Sequence, residues 1–384
     1  MKSLNGVERV LSQRLNLLAD SGLYDVYLIT CNQYGAPLSF PISEKVHHID
    51  LSTRFLLRCS YHGLFQYFDR FVSKRKYIKA ICRCLESISP DVITCVDQHV
   101  ADLEAVLKVK VDAVKVVECH SGRAAYFSNL KKMNHTYRFY LGSRLKSKLV
   151  RAIERFDKVV VMTEAEKYDW HMDERVVCIP NMLAYYPDDD AICVHESRCQ
   201  VISIGRYAYQ KGYDMLIEAW KLVQRRHPQW KLHTYGSCDD GAGGYEQLKD
   251  TIEKCHIPNV FLHTATTDVF GQYMQSDLYV MSSRFESFGL VLIEAMSCGL
   301  PVVSFDCKYG PSSIVDDGYT GLLVPVNQVA QLAEAICSLI ENDDRRREMA
   351  INARRESAKY HPDYIMPRWH AFYESLGKGR PIGS

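Results

Sequence analysis

The sequence predicts an α/β protein made of two doubly wound, parallel-sheet domains. Three observations carry that prediction. Short β-branched runs alternate with amphipathic helical stretches along nearly the whole chain. The alternation halts once, near residues 181–197, and then restarts. The 384 residues also exceed what one ordinary core holds.

In the first array, strands are expected at 25–30, 46–51, 91–96, 113–119, 158–162 and 175–179, with helices at 61–87 and 103–109. The interruption contains Pro180, Pro187 and Asp188-Asp189-Asp190, a polar stretch without helical periodicity, and it reads as a linker. In the second array, strands are expected at 199–204, 230–235, 259–263, 277–281 and 301–305. Helices are expected there at 213–226, 245–255, 269–275, 289–297, 329–342 and 345–360, with a last one at 364–376. Sheets of this kind bind ligands in the crevice at the carboxyl ends of their strands.

Composition narrows the function classes. Hydrophobic residues make up 47% and charged residues 24%, which describes a folded chain rather than a disordered one. No uncharged apolar run is long enough for a membrane span, and Met1–Gly6 lacks the apolar core of a signal peptide. The 14 cysteines are scattered, with no CxxC pair and no zinc spacing, so buried reduced thiols of a cytoplasmic protein are expected. Net charge is +4 over residues 1–190 and −3 over the rest. The excess gathers at 131–158, with nine basic and two acidic side chains. That stretch reads either as a solvated helix face or as a surface drawn to anionic headgroups. Nucleic acid is not expected, because no aromatic residues interleave with the basic ones in a binding motif.

Two motifs carry chemistry. The first is Gly205-Arg206-Tyr207-Ala208-Tyr209-Gln210-Lys211-Gly212, between an expected strand and helix. Its glycines permit a sharp turn and a close approach, so that Arg206 and Lys211 present two cations to a developing anion. The second is Glu286-Ser287-Phe288-Gly289-Leu290-Val291-Leu292-Ile293-Glu294, which opens the helix expected at 289–297. Backbone amides at the start of a helix lack intrahelical partners and can cradle a phosphate, here near Phe288, Gly289 and Leu290. Glu294 lies within an apolar run, where a carboxylate is costly unless paired or ligand-facing.

Together these motifs resemble the family 4, or group 1, glycosyltransferases of GT-B fold. Glu286 and Glu294 match that family's E-x7-E signature, and Arg206 with Lys211 its paired phosphate-binding cations. Further similarity lies in 179–181, 235–237, 297–303 and 309–325. The resemblance implies an N-terminal acceptor-binding domain over 1–187 and a nucleotide-sugar-binding domain over 195–361. Residues 362–384 would return to complete the first domain, and the two domains would face a central cleft. The loop Asn5-Gly6 resembles the family's glycine-rich loop, preceded by a first strand that is short or missing.

The resemblance also implies roles. Arg206, Lys211 and the amides of Phe288, Gly289 and Leu290 would bind the donor diphosphate. Glu294 would hold the ribose, and Glu286 and His120 would meet the transferred sugar. The base would lie near Thr266, and Gly6 would let the backbone approach the donor. The activity implied is retaining transfer of a hexose or N-acetylhexosamine from a UDP-sugar to a hydroxyl of a glycan or lipid-linked glycan, as in surface polysaccharide synthesis. No metal and no cofactor are expected. The setting would be cytoplasmic, at the inner face of the membrane through 131–158. The alternatives are a non-catalytic sugar-nucleotide-binding partner and a UDP-sugar epimerase.

Overall fold

The computed structural model of the chain describes residues 6–31, 33–53, 65–123, 147–172, 174–188, 197–238 and 244–377. It divides into two compact units, Met1–Ala184 with Pro362–Ser384, and Tyr185–His361.

The N-terminal unit contains a four-stranded parallel sheet, ordered β3 (Val92–Val96), β4 (Val114–Cys119), β5 (Lys158–Val161), β6 (Val176–Cys178). A separate parallel pair, β1 (Val26–Thr30) and β2 (Val46–Asp50), lies beside it in sequence. Val116, Val117, Val159, Val160 and Val161 are fully buried, as expected for strands covered on both faces. The core is closed by the helix Phe65–Ile88, through Tyr77, Ile78, Ile81 and Leu85, and by the helix Val100–Lys108.

Gly6 is the first residue of a helix, Gly6–Asp20; the rest of the loop expected at Asn5-Gly6 lies outside the described residues. After Gly6 the segment contains no helix breaker, and its apolar residues recur at helical spacing, burying Val10, Leu18 and Ala19. The C-terminal helix, Pro362–Ser375, belongs to this unit. Its Trp369 ring lies 3.9 Å from the Arg14 guanidinium, and Arg368 donates to the Cys178 carbonyl at 2.8 Å. Most of the basic stretch 131–158 lies outside the described residues; residues 147–153 are helical. Among the described residues no helix is long and apolar enough to cross a membrane.

The C-terminal unit is one six-stranded parallel sheet, ordered β9-β8-β7-β10-β11-β12. These strands are β7 (Gln200–Ile204), β8 (Lys231–Gly236), β9 (Val260–Thr264), β10 (Leu278–Met281), β11 (Val302–Asp306) and β12 (Gly321–Pro325). Relabelled from the unit's own start, this is the 3-2-1-4-5-6 order of dinucleotide-binding sheets. The chain runs outward from β7 to one edge, then returns to the centre and runs outward to the other. The reversal falls between β7 and β10, which pair in register at Leu278 with Val201. Helix Tyr213–Arg226 seals one face with Leu216, Ile217, Trp220 and Val223, packed against Leu332, Ile336 and Leu339 of Val329–Ile340. β12 has no counterpart in the sequence reading. It is a five-residue edge strand bounded by Gly321 and Pro325, too short and too punctuated to signal itself.

One buried acid in the N-terminal unit sets a pH response. Glu166, on helix Glu164–Trp170, has no solvent exposure. Its Oε1 accepts from the Arg123 amide (3.0 Å) and the Trp170 indole (3.4 Å), while Oε2 has no hydrogen-bond partner among the described residues. Burial, with Asp97 and Asp169 nearby, outweighs those bonds and raises its pKa to about 8. The folded state thus favours the protonated acid. The associated stability is complete below the ordinary value near 4.5 and is lost as pH rises through about 8. Glu166→Gln keeps an acceptor oxygen and cannot ionise. Its melting temperature should therefore exceed the wild-type value by a margin that widens between pH 5 and pH 9; a margin constant with pH would show that Glu166 does not titrate there.

Candidate active site

The two motifs meet at the strand-order reversal. The first leaves the carboxyl end of β7 and the second the carboxyl end of β10. Gly212 is what lets them touch. It has φ +64°, and a Cβ there would stand 2.1 Å from the Ser282 carbonyl oxygen at the end of β10. Only glycine fits that conformation and that gap. The segments are then laced together. Arg284 donates its amide to the Gln210 carbonyl (2.7 Å), and Gln210 Nε2 donates to the Phe285 carbonyl (3.0 Å). The Arg284 guanidinium forks onto Asp214 (2.8 and 2.6 Å) and lies over the Tyr209 ring at 4.0 Å. Burial acts to raise the Asp214 pKa, but Arg284 prevails and holds it below its ordinary value.

Lys211 and Glu286, each named by the sequence, form an ion pair of 2.7 Å, and Ser283 donates its hydroxyl to the same carboxylate oxygen at 2.7 Å. Glu286 is only 8% exposed. The lysine's methylenes run over Gly205, where an added Cβ would lie 3.2 Å from Cδ and Cε. Arg206, by contrast, is exposed and among the described residues reaches the Gln210 side chain, at 3.5 Å. Thus one cation is already held on the Glu286 carboxylate, while the other points to solvent.

The helix expected at 289–297 starts one residue later. The helix is Leu290–Ser297, with Gly289 as N-cap at φ +98°. The Leu292 amide already bonds to the Gly289 carbonyl (2.9 Å), which leaves the first-turn amides of Leu290 and Val291 without intrahelical acceptors. Phe288 precedes the cap and is buried, its ring edge-on to Tyr360 at 5.6 Å. The loop after β11 braces this turn from the other side. Glu286 forms a parallel bridge with Tyr309, and a Cβ on Gly310 would stand 2.1 Å from the Phe288 carbonyl oxygen. Tyr309 itself is held at φ +80°, an uncommon conformation for a bulky side chain.

Glu294 is 2% exposed, and the Tyr273 hydroxyl donates to its Oε2 at 3.4 Å. Tyr273 comes from helix Val269–Met274, which the sequence gave no reason to connect with the motif. Thr266 lies after β9, its hydroxyl accepting from the Asp268 amide at 3.1 Å. Ser283 and Tyr273 were therefore missed. The Ser282-Ser283 pair at the end of an apolar strand is the one available signal for the former.

Gly6 and His120 lie in the N-terminal unit. His120 follows β4 and is buried. Its amide and that of Ser121 donate to the two oxygens of the Asp97 carboxylate, at 3.0 and 3.1 Å. Its Nε2 lies 3.2 Å from Glu118 Oε2. Glu118, fully buried, is gripped by Arg14 through Nη1 at 2.8 Å and Nη2 at 2.5 Å. Burial alone would raise the Glu118 pKa, but Arg14 and His120 bring it down to about 2.

Residues 192–356 match the family model described as glycosyl transferases group 1. The match spans nearly all of the described C-terminal unit. Over 376 residues, the chain is 26% identical to the amylovoran biosynthesis glycosyltransferase AmsD of Erwinia amylovora, covering 95% of each protein. Similarity of fold to solved structures extends across both units. Sucrose-phosphate synthase from Thermosynechococcus elongatus superposes with a TM-score of 0.77, at 20% identity, over 97% of this chain and 94% of that one. HepE of Anabaena, in complex with UDP and glucose, gives 0.70 at 18% identity, over 98% and 97%. The fold is thus GT-B, as the group 1 motifs imply.

The ion pair separates a structural from a ligand-binding role for Lys211. Lys211→Met leaves Glu286 buried without its cation, so it should lower both the melting temperature and nucleoside-diphosphate affinity. The double variant Lys211→Met with Glu286→Gln should recover most of the stability, yet still bind the nucleotide at least about 10-fold more weakly than wild type. Calorimetry on both variants, beside their melting curves, checks this. Wild-type affinity in the double variant would exclude Lys211 from the diphosphate site.

Proposed function

We propose that the chain is a retaining glycosyltransferase that moves a hexose or N-acetylhexosamine from a UDP-sugar to a hydroxyl of a glycan or lipid-linked glycan. The observation that carries this reading is the Lys211–Glu286 pair beside the open amides of Leu290 and Val291, at the reversal between β7 and β10. A diphosphate seated on those amides competes with Glu286 for Lys211. Once the lysine turns to the phosphate, the Glu286 carboxylate is released to accept hydrogen bonds from sugar hydroxyls. The exposed Arg206 supplies a second cation. Glu294 is assigned the ribose hydroxyls, the loop at Thr266 the base, and His120 a hydroxyl of the transferred sugar.

In the reaction, the bond from the anomeric carbon to the β-phosphate oxygen breaks and its electron pair leaves with the diphosphate. The acceptor oxygen bonds to the same carbon and passes its proton to the departing diphosphate. Lys211, Arg206 and the helix amides stabilise the departing charge, so the mechanism calls for no metal. Retention follows from the group 1 pattern of Glu286 and Glu294. UDP in the HepE complex and the polysaccharide role of AmsD support the donor and acceptor classes. The basic stretch 131–158 suits contact with an anionic membrane surface, at the cytoplasmic face where sugar nucleotides are available.

Thermal-shift measurements against UDP, GDP and ADP should single out UDP. NMR of the product formed from a UDP-α-sugar should show an α-glycosidic linkage, and the rate should persist in excess EDTA. Glu294→Ala should weaken UDP binding by roughly 10-fold or more, through the ribose contact and the loss of charge-assisted bonds. Selective stabilisation by another nucleotide, a β-linked product or abolition by EDTA would each reject the corresponding part of the reading.

A further inference from the structure

The ion pair in the C-terminal unit has a third member. Among the described residues, Glu286 Oε1 accepts from Lys211 Nζ and from Ser283 Oγ, both at 2.7 Å. The two donors differ in mobility. The lysine side chain is 17% exposed and carries its charge on a flexible stem. Ser283 is wholly buried, just past the carboxyl end of β10 and three residues before the glutamate. Its neighbour Ser282 donates to the Lys211 carbonyl at 2.9 Å, and so holds the lysine's backbone and leaves its ammonium alone. Two further buried hydroxyls lie near enough to feel the Glu286 charge, yet both are committed elsewhere. Tyr213 donates to the Gly205 carbonyl (3.0 Å) and Tyr279 to that of Ile204 (3.4 Å).

A carboxylate in so closed a place is costly once its cation leaves, unless another donor stays with it. When a diphosphate draws Lys211 away, the Ser283 hydroxyl is the donor that cannot follow. We propose that Ser283 is a positioning residue, which keeps Glu286 Oε1 anchored while Lys211 serves the diphosphate and so holds the carboxylate in place to accept from a hydroxyl of the transferred sugar. This rests on the donor reading given above, and it deepens it. Lys211 then shares the oxygen only until the nucleotide arrives, and Ser283 keeps it throughout.

The test has one arm independent of activity. Lys211→Met imitates the state in which the lysine has left, without nucleotide or turnover. Ser283→Ala should therefore lower the melting temperature at least about twice as far in the Lys211→Met background as in wild type, because it then removes the last fixed donor. Failure of the double variant alone to fold is the extreme of that result; an equal or smaller drop would overturn the inference. Ser283→Cys keeps the shape but is a weak donor, so it should follow Ser283→Ala, and wild-type behaviour in it would show that Ser283 merely fills space. In sugar transfer, Ser283→Ala should lower kcat at least about 10-fold while KM for the best UDP-sugar changes by about 3-fold or less. The same substitution made in Glu286→Ala should change kcat by less than about 2-fold. An unchanged kcat in the single variant, or an equal loss in both backgrounds, would mean that Ser283 does not act through Glu286 and would overturn the inference. Should the wild type transfer no sugar at all, the proposed function fails, while the melting comparison still decides whether Ser283 holds the carboxylate by itself.

Discussion

The site depends on the reversal of strand order between β7 and β10. Two neighbouring parallel strands whose connections run in opposite directions leave a gap above their carboxyl ends that neither crossover fills. Here both chemistry-bearing turns open into that gap, and Gly212 brings one backbone onto the carbonyl of Ser282 in the other. The fork from Arg284 to Asp214 and the exchange between Gln210 and residues 284–285 then hold the two turns in register.

That framework explains why the ion pair between Lys211 and Glu286 is stable without a ligand and still suited to one. A buried carboxylate requires a partner, and Lys211 with Ser283 supplies it. The lysine is a flexible point charge whose stem lies across Gly205, as the proposed move to a phosphate requires. Arg284, one residue beyond Ser283, has the opposite character. Its planar fork and its stacking on Tyr209 fix it in place, and it serves as a fastener.

The N-terminal unit uses buried charge in two distinct ways. Glu118 is bound to Arg14 and is held in its ionised form. Glu166, buried and met among the described residues by neutral donors, is driven toward its protonated form. Burial raises the pKa of both acids; a paired cation makes the difference.

The sequence by itself determined much of this protein. Alternating apolar strands and amphipathic helices specify two parallel-sheet arrays, because strands buried on both faces must be apolar throughout, as at Val159–Val161. The positions of Arg206, Lys211, Glu286 and Glu294 were legible because a glycine-bounded turn and a carboxylate in an apolar run are locally costly and need a reason. Only the tertiary structure decided which partners those groups meet. Ser283, Tyr273 and Asp214 join the site through strand order and helix packing, which bring together residues far apart in the chain. The same holds for Arg14, Glu118 and Trp369, drawn from three distant segments. β12 was missed because five residues at a sheet edge depend on pairing with β11 more than on their own pattern.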